Sequence, residues 1–463
     1  MNKKNSRELR IAYIGGGSRA WAWTLMTDLA LEPDLGGIVS LYDTDAAAAQ
    51  SNKAIGGYLS KNPGALGKWE YITSSSLEEA LRGADFVIIS ILPGTFDEME
   101  SDVHLPERLG ILQPVGDTAG PGGIVRALRT IPMFIVIAEA IKNFAPEAWV
   151  INYTNPMSLC VRALYHVYPD MKAFGCCHEV FGTQELLAAV AGEELGIKDA
   201  MRSQINVNVL GINHFTWFSK ASLGQQDLFP VYESFIAKNY EKGYLCGSPS
   251  LINQRFTCLN KVKFDLFRRY GWIAAAGDRH LAEFMPGSMY LKDLESVRSW
   301  GFYLTGVDWR KEDLKARLLR SKALSSGEES MELKSSGEEG ILLIKALCGL
   351  TRVISNVNLP NYGGQISNIP KCSVVETNAV FSLNDIRPVY AGSFTEEIGS
   401  LMKPHIDNQE TVLNAALTGD RAYVYEAFSR DPLTAGRCSF SELKALADEM
   451  IKNTMAFLPD IWN

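Results

Sequence analysis

The stretch Gly175–Val180, GCCHEV, sets two cysteines, a histidine and a glutamate side by side. Three chemistries use such residues: metal ligation, thiol redox exchange and proton transfer. Adjacent cysteines make a poor redox pair, because such pairs ordinarily carry a two-residue spacer. On a strand, neighbours point to opposite faces, so at most one of Cys176 and Cys177 faces any given site. Cysteine is also a frequent core residue, and a buried strand end stays open for this stretch taken alone. Four other stretches carry groups of the same kind. YTNPMS offers Asn155, and GINHFTW offers His214. GWIAAAGDRHLAEFMPG frames His280 between Asp278 and Glu283, either as a proton-transfer set or as a salt-bridged loop. GDTAGPGGIVRALRTIP supplies Asp117 and Thr118, then Arg126 and Arg129 three apart on or near one helical face. Those arginines either reach an anion or form ion pairs on the helix surface.

Elements must bring these scattered residues together. Leu9–Ile14, Ile38–Tyr42, Trp69–Thr73, Asp85–Ile91 and Ala148–Tyr153 read as strands, and KAFGCC as a further one. Helical stretches begin at Trp21, Asp45, Leu77 and Ile124. The alternation predicts a parallel, doubly wound α/β sheet. After about residue 200 the pattern changes. Gln204–Gly211 and Phe215–Ala221 read as antiparallel strands around Asn213-His214, Val357–Val389 as β structure, and the chain from Glu396 as helix. Residues 1–200 are therefore expected to form a nucleotide-binding domain and 201–463 a second, mixed α+β lobe for substrate, metal and oligomer contacts. Asp308–Glu339, rich in charge and serine, reads as exposed surface and not as a binding element.

Gly15-x-Gly17-x-x-Ala20 lies between the first strand and the first helix. In such a turn Gly15, Gly16 and Gly17 let the backbone approach a pyrophosphate, Ser18 borders it, and the helix N-terminus faces the phosphates. Asp43 ends the next strand, where an acid bonds the adenine-ribose 2′-hydroxyl and favours NAD over NADP. The 463 residues carry a net charge of −8, which argues against nucleic acid or anionic membrane as partners. The polar stretch Met1–Arg10 does not read as a secretory signal, and no apolar run is long enough to span a bilayer. Eight scattered cysteines then fit reduced thiols in a cytoplasm.

IAYIGGGSRAW, GDTAGPGGIVRALRTIP, NYTNPMS, GCCHEV, GINHFTW and NLPNYGGQISNIP occur in the order seen in glycoside hydrolase family 4, which this chain resembles from about residue 10 to 370. The Cys-His-Glu-Val version is similar to the α-galacturonidases of that family. The resemblance implies a lactate/malate dehydrogenase-like fold, NAD as hydride acceptor at C3 of the sugar, and a divalent metal, Mn²⁺, on the C2 and C3 oxygens. It implies Cys177 and His214 as metal ligands, Asn155 on the substrate and His178 as the acid for the leaving oxygen. Asp278, with Tyr270 second, is the expected base at C2. Arg279, with Arg126 and Arg129 in reserve, is the expected partner of a C6 carboxylate. The expected substrate is an α-D-galacturonide within a uronic-acid oligosaccharide, and the expected assembly a homodimer or homotetramer. An α-glucosidase or α-galactosidase of the same family is the nearer alternative. A 2-hydroxyacid dehydrogenase is the more distant one, and would leave Cys177 without a task.

Overall fold

A computed structural model describes residues 7–246 and 256–463, so part of the polar N-terminal stretch lies outside the described residues. The apolar run before the glycine turn forms β1 (Arg7–Ile14). It is followed by β2 (Leu35–Tyr42), β3 (Lys68–Thr73), β4 (Phe86–Ile89), β5 (Trp149–Asn152) and β6 (Ala173–Gly175). These six strands are parallel, in the spatial order β3-β2-β1-β4-β5-β6. β4 is Phe-Val-Ile-Ile and buried throughout, as a central strand covered on both faces must be. The register aligns Ile14 with Tyr42 and Ile89, and Ile89 with Asn152. The carboxyl ends of the strands therefore share one edge, where ligands of such sheets collect.

The sheet does not stop at β6. The later strands are β7 (Ile205–Ile212), β8 (Phe215–Leu223), β9 (Gln226–Asp227), β10 (Ile273–Ala274), β11 (Val353–Pro360), β12 (Val374–Ser382) and β13 (Asp385–Pro388). β11 pairs antiparallel with β6 through Asn358 and Gly175, and the order continues β12-β7-β8-β10. One 13-stranded sheet thus runs through both halves of the chain. Helix Gly120–Phe144 packs with the C-terminal helices Glu396–Thr418 and Arg421–Arg430, and Leu128, Ile131 and Phe134 share a core with Val412, Leu413 and Phe428.

Two expectations change. KAFGCC is strand only to Gly175, so Cys176 and Cys177 lie just beyond its end. The serine-rich segment is a helix, Val307–Ser326, followed by an irregular strap over residues 328–339. The strap is anchored and not merely solvated. Met331 accepts from Thr27, Ser336 donates its N–H to Asp28, and Glu339 pairs with Arg202 at 2.9 Å. Composition alone could not distinguish a solvated loop from one tied down by its few apolar and acidic residues.

Candidate functional site

The glycine turn is shaped by close approach. A Cβ on Gly15, whose φ is +92°, would lie 2.0 Å from the Ser90 carbonyl oxygen, so no side chain fits there. Gly15 and Gly16 both donate to the Tyr42 carbonyl, and Gly17 donates to the Asp43 carboxylate at 2.8 Å. Asp43 ends β2 beside the turn, and its other oxygen accepts from the Asp45 N–H. Asn52, which no motif singles out, donates to the carbonyls of Gly16 and Ser18 and fixes the turn.

Across the strand ends, half-buried Asp117, Thr118, Asn155 and Glu179 cluster with buried His214 and His280. Asn155 precedes a cis proline at the end of β5, and its amide lies 3.4 Å from Asp117. Its carbonyl Oδ1 is buried without a partner. His214 sits in the two-residue turn between β7 and β8 with φ +65°, a left-handed conformation that few side chains adopt. The Thr118 hydroxyl donates to Asp117 at 2.8 Å and meets His214 Nδ1 at 3.0 Å. Burial opposes the charge on Asp117, but His214, Arg126 and His280 overcome it and hold the carboxyl below its ordinary range. An ionised carboxylate only accepts, so the single Thr118 proton goes to it, and His214 Nδ1 must donate to the hydroxyl. That fixes the tautomer and leaves the Nε2 lone pair of His214 free for a metal. Burial, followed by repulsion from His280, lowers the pKa of His214 and keeps the ring neutral. The His280 ring lies on it at 3.9 Å between centroids.

The two cysteines diverge. Cys176 packs toward Tyr153 and the first-half core, while Cys177 packs beside Met157, Val161 and Val374. The Asn213 side chain bonds the Cys177 thiol and also donates to Glu376 on β12, placing the thiol next to the turn that carries His214. Burial, reinforced by Glu376 and Glu179, pushes the thiol well above its usual pKa, so it needs a cation to become a ligand. Glu376 is buried, accepts from Asn356 at 2.6 Å, and is pushed up to about 7 mainly by burial. Its sequence signal is an acid following the apolar pair Val374-Val375 in β12. Among the described residues no three histidine, cysteine or carboxylate side chains converge to hold a metal. One thiol, one imidazole and the orphaned Asn155 oxygen are donors of the kinds a divalent cation takes.

His178 borders a cavity of about 480 Å³ together with Glu179, Arg202, Lys263, Gly277 and Glu338. The strap brings Glu338 Oε1 to 3.1 Å from His178 Nδ1. This hydrogen bond, against the opposing effect of burial, pushes the His178 pKa up to about 9. Glu179 accepts from the Gly277 N–H at 2.8 Å and lies 3.6 Å from His280 Nε2.

Other candidates are placed elsewhere. Asp278 was expected as the base, but its buried carboxylate accepts from the N–H groups of Val262 and Lys263 at 3.2 Å each, capping helix Lys261–Tyr270. Burial also raises its pKa. Tyr270, the second choice, packs edge-on against Trp217 in the core. Arg126 and Arg129 are buried and not on the helix surface, and Arg129 is taken by Asp102 at 2.5 Å. Arg279 forms no ion pair among the described residues. It donates to Thr305 and lies over the Phe256 ring.

Comparison with known proteins identifies the family. An α-galacturonidase from Lachnoclostridium phytofermentans is 58% identical over 100% of this chain and 99% of its own length. A solved Bacillus subtilis protein, described as a glucosidase, is 48% identical with a TM-score of 0.91, covering 96% of this chain and 99% of that one. A 6-phospho-α-glucosidase from gut microorganisms, solved with NAD and Mn²⁺, shares the fold at 18% identity and a TM-score of 0.77, over 98% of this chain and 99% of that one. The model of the family 4 glycosyl hydrolases matches residues 10–193, that of their C-terminal domain matches 209–434, and the chain belongs to glycoside hydrolase family 4.

Proposed function

We propose that this chain is an α-galacturonidase that uses NAD and Mn²⁺. NAD supplies a hydride acceptor for C3 of the sugar, and the metal supplies a Lewis acid for the C2 and C3 oxygens. Residues 1–200 hold the nucleotide through Gly15, Gly16, Gly17, Ser18 and Asp43. Residues 201–463 contribute to the substrate and metal side. Cys177 and His214 hold the metal, and Asn155 binds the sugar. His178, kept protonated by Glu338, delivers a proton to the departing glycosidic oxygen. With Asp278 engaged at a helix start, His280 takes the C2 proton. Its Nδ1 is buried without a partner and its other nitrogen faces Glu179. Arg279 is one of the cations that receive the substrate carboxylate. The enzyme works as a homodimer or homotetramer in the cytoplasm. In keeping with that location, no disulfide links any of the eight cysteines. Among the described residues no helix is long and apolar enough to cross a membrane.

The observation that carries the reading is the Asp117–Thr118–His214 relay, which leaves one imidazole nitrogen free, while Asn155, whose amide lies 3.4 Å from the same Asp117, keeps an orphaned carbonyl oxygen. A simple dehydrogenase has no use for Cys177. Similarity over the full length to a protein named an α-galacturonidase supports the galacturonide as substrate. The test compares kcat/KM for nitrophenyl α-galacturonide, α-galactoside and α-glucoside with NAD⁺ and Mn²⁺ present. The galacturonide should be preferred, no net NADH should accumulate, and deuterium at C2 or C3 should slow turnover. Full activity in nucleotide-stripped enzyme would overturn the mechanism, and a preference for either neutral sugar would overturn the substrate.

A further inference from the structure

Three guanidinium groups from three different helices lie near the candidate site, each outside ion-pair distance of any carboxylate among the described residues. Arg126 projects from helix Gly120–Phe144, Arg279 from helix Asp278–Phe284, and Arg310 from the first turn of helix Val307–Ser326. The other cations of this region are occupied: Arg129 by Asp102, Arg202 by Glu339, and Lys263 by Asn260. Among the described residues, none of the three arginines forms an ion pair. Arg126 is buried, its Nε donates to the Asn155 carbonyl at 3.1 Å, and its Nη1 has no partner. The Nε of Arg310 is likewise buried and unpartnered. Arg279 is held in place by the Thr305 hydroxyl and by the Phe256 ring, whose centroid lies 4.6 Å away. That ring packs edge-on against Trp309, the neighbour of Arg310.

The groups are close enough to repel. Burial lowers the pKa of Arg126 and of Arg279; Asp117 opposes this at Arg126 and Glu179 at Arg279, and Arg310 adds to the lowering at both. Packing unpaired cations against one another is costly unless an anion arrives. A carboxylate suits the geometry, because planar guanidinium forks grip its two oxygens from more than one side. We propose that Arg126, Arg279 and Arg310 form the subsite for the C6 carboxylate of the sugar, with Arg310 as a specificity-determining residue. Nothing in the short motifs marks Arg310; it is visible only once the three helices are packed. The proposal rests on the galacturonide reading and adds the residues that enforce it.

The same chemistry would also receive a nucleotide phosphate, so the experiment separates the two. Arg310→Gln and Arg310→Lys are compared with wild type in the NAD⁺- and Mn²⁺-loaded enzyme, after confirming unchanged melting. The ratio of kcat/KM for nitrophenyl α-galacturonide over α-galactoside should fall about 100-fold or more in Arg310→Gln. Arg310→Lys should recover part of it. Calorimetric binding of D-galacturonate should weaken in parallel while binding of D-galactose does not, and NADH affinity by fluorescence should stay within about threefold. An unchanged ratio, with both substrates slowed alike, would overturn the assignment. Loss of NADH affinity with galacturonate binding retained would overturn it in favour of a phosphate site. Should wild type itself prefer the galactoside, the galacturonide reading fails separately. Galacturonate binding then decides the arginine site: loss in Arg310→Gln supports it, and no change overturns it.

Discussion

Glu283 accepts from the N–H groups of Val115 and Gly116 through one oxygen, while its other oxygen is buried with no partner. Burial, opposed by those two N–H groups, raises its pKa from the ordinary 4.5 to about 8. The folded chain therefore keeps a proton that the unfolded chain has released, and the sign follows from linkage. This contribution to stability is fully present below pH 4.5 and is lost as the pH climbs to about 8. Glu283→Gln imitates the protonated form, so its melting temperature should fall less than that of wild type across this range, with a gap of a few degrees at pH 8. Parallel melting curves would show that Glu283 does not carry the effect. Residues of this kind mark the limit of sequence reading at the site. Cys177, His214 and Asn155 stand out in the sequence because short motifs hold them, and the structure places all three just beyond strand ends or in a turn. Asp278 was misjudged, because the helix it caps begins 17 residues earlier in sequence and no local signal links them. Glu376, Glu338 and Asn52 were missed because each acts across a long sequence separation on a group that carries the recognisable chemistry.

At the scale of elements, the glycines opening helix Gly120–Phe144 decide whether the Asp117–Thr118 relay can exist. Gly120 has φ +67°, and a Cβ on Gly123 would come within 2.3 Å of the Thr118 carbonyl carbon. The neighbour is backbone, so it cannot yield by a rotamer change. Gly123→Ala should cost about 1–3 kcal/mol by overpacking. It should also lower kcat at least tenfold, because Thr118 would no longer meet His214. Denaturant midpoints and steady-state rates check the two parts, and loss of stability with normal turnover would dissociate the helix start from the relay. The strands and helices of the first 175 residues follow their hydrophobic patterns closely: central β4 is buried throughout, while edge strand β3 alternates exposed Lys68 and Glu70 with buried Trp69 and Tyr71. The strap over residues 328–339 was invisible for the opposite reason. It has no periodicity, and its contacts are single side chains reaching distant partners.

At the scale of the whole molecule, the change in pattern near residue 200 is real, but the sheet and core continue across it. β6 pairs with β11 on its outer side, and the first-half helix Gly120–Phe144 is buried under helices from beyond residue 395. Residues 1–200 expressed alone would leave the outer edge of β6 open and expose Ile131 and Phe134, an invitation to aggregate. That fragment should lack a cooperative melt and bind the dye ANS, whereas the full chain should unfold in one transition. A monodisperse fragment with a sharp melt would show that the two halves are energetically separate. Sequence pattern reports the type of each element, but not which strand edge a later strand will join.

This continuity also governs how such chains can be recombined. Asp117, Asn155 and Cys177 are inherited with the first half, and His214 and His280 with the second, yet Asn213 and Thr118 tie them into one set of bonds. A crossover between relatives near residue 200 would separate Cys177 from His214 and hand β6 an unfamiliar β11. Viable hybrids should therefore exchange short blocks within one half, such as edge strand β13, which pairs only with β12, and leave the β6–β11 seam to a single parent.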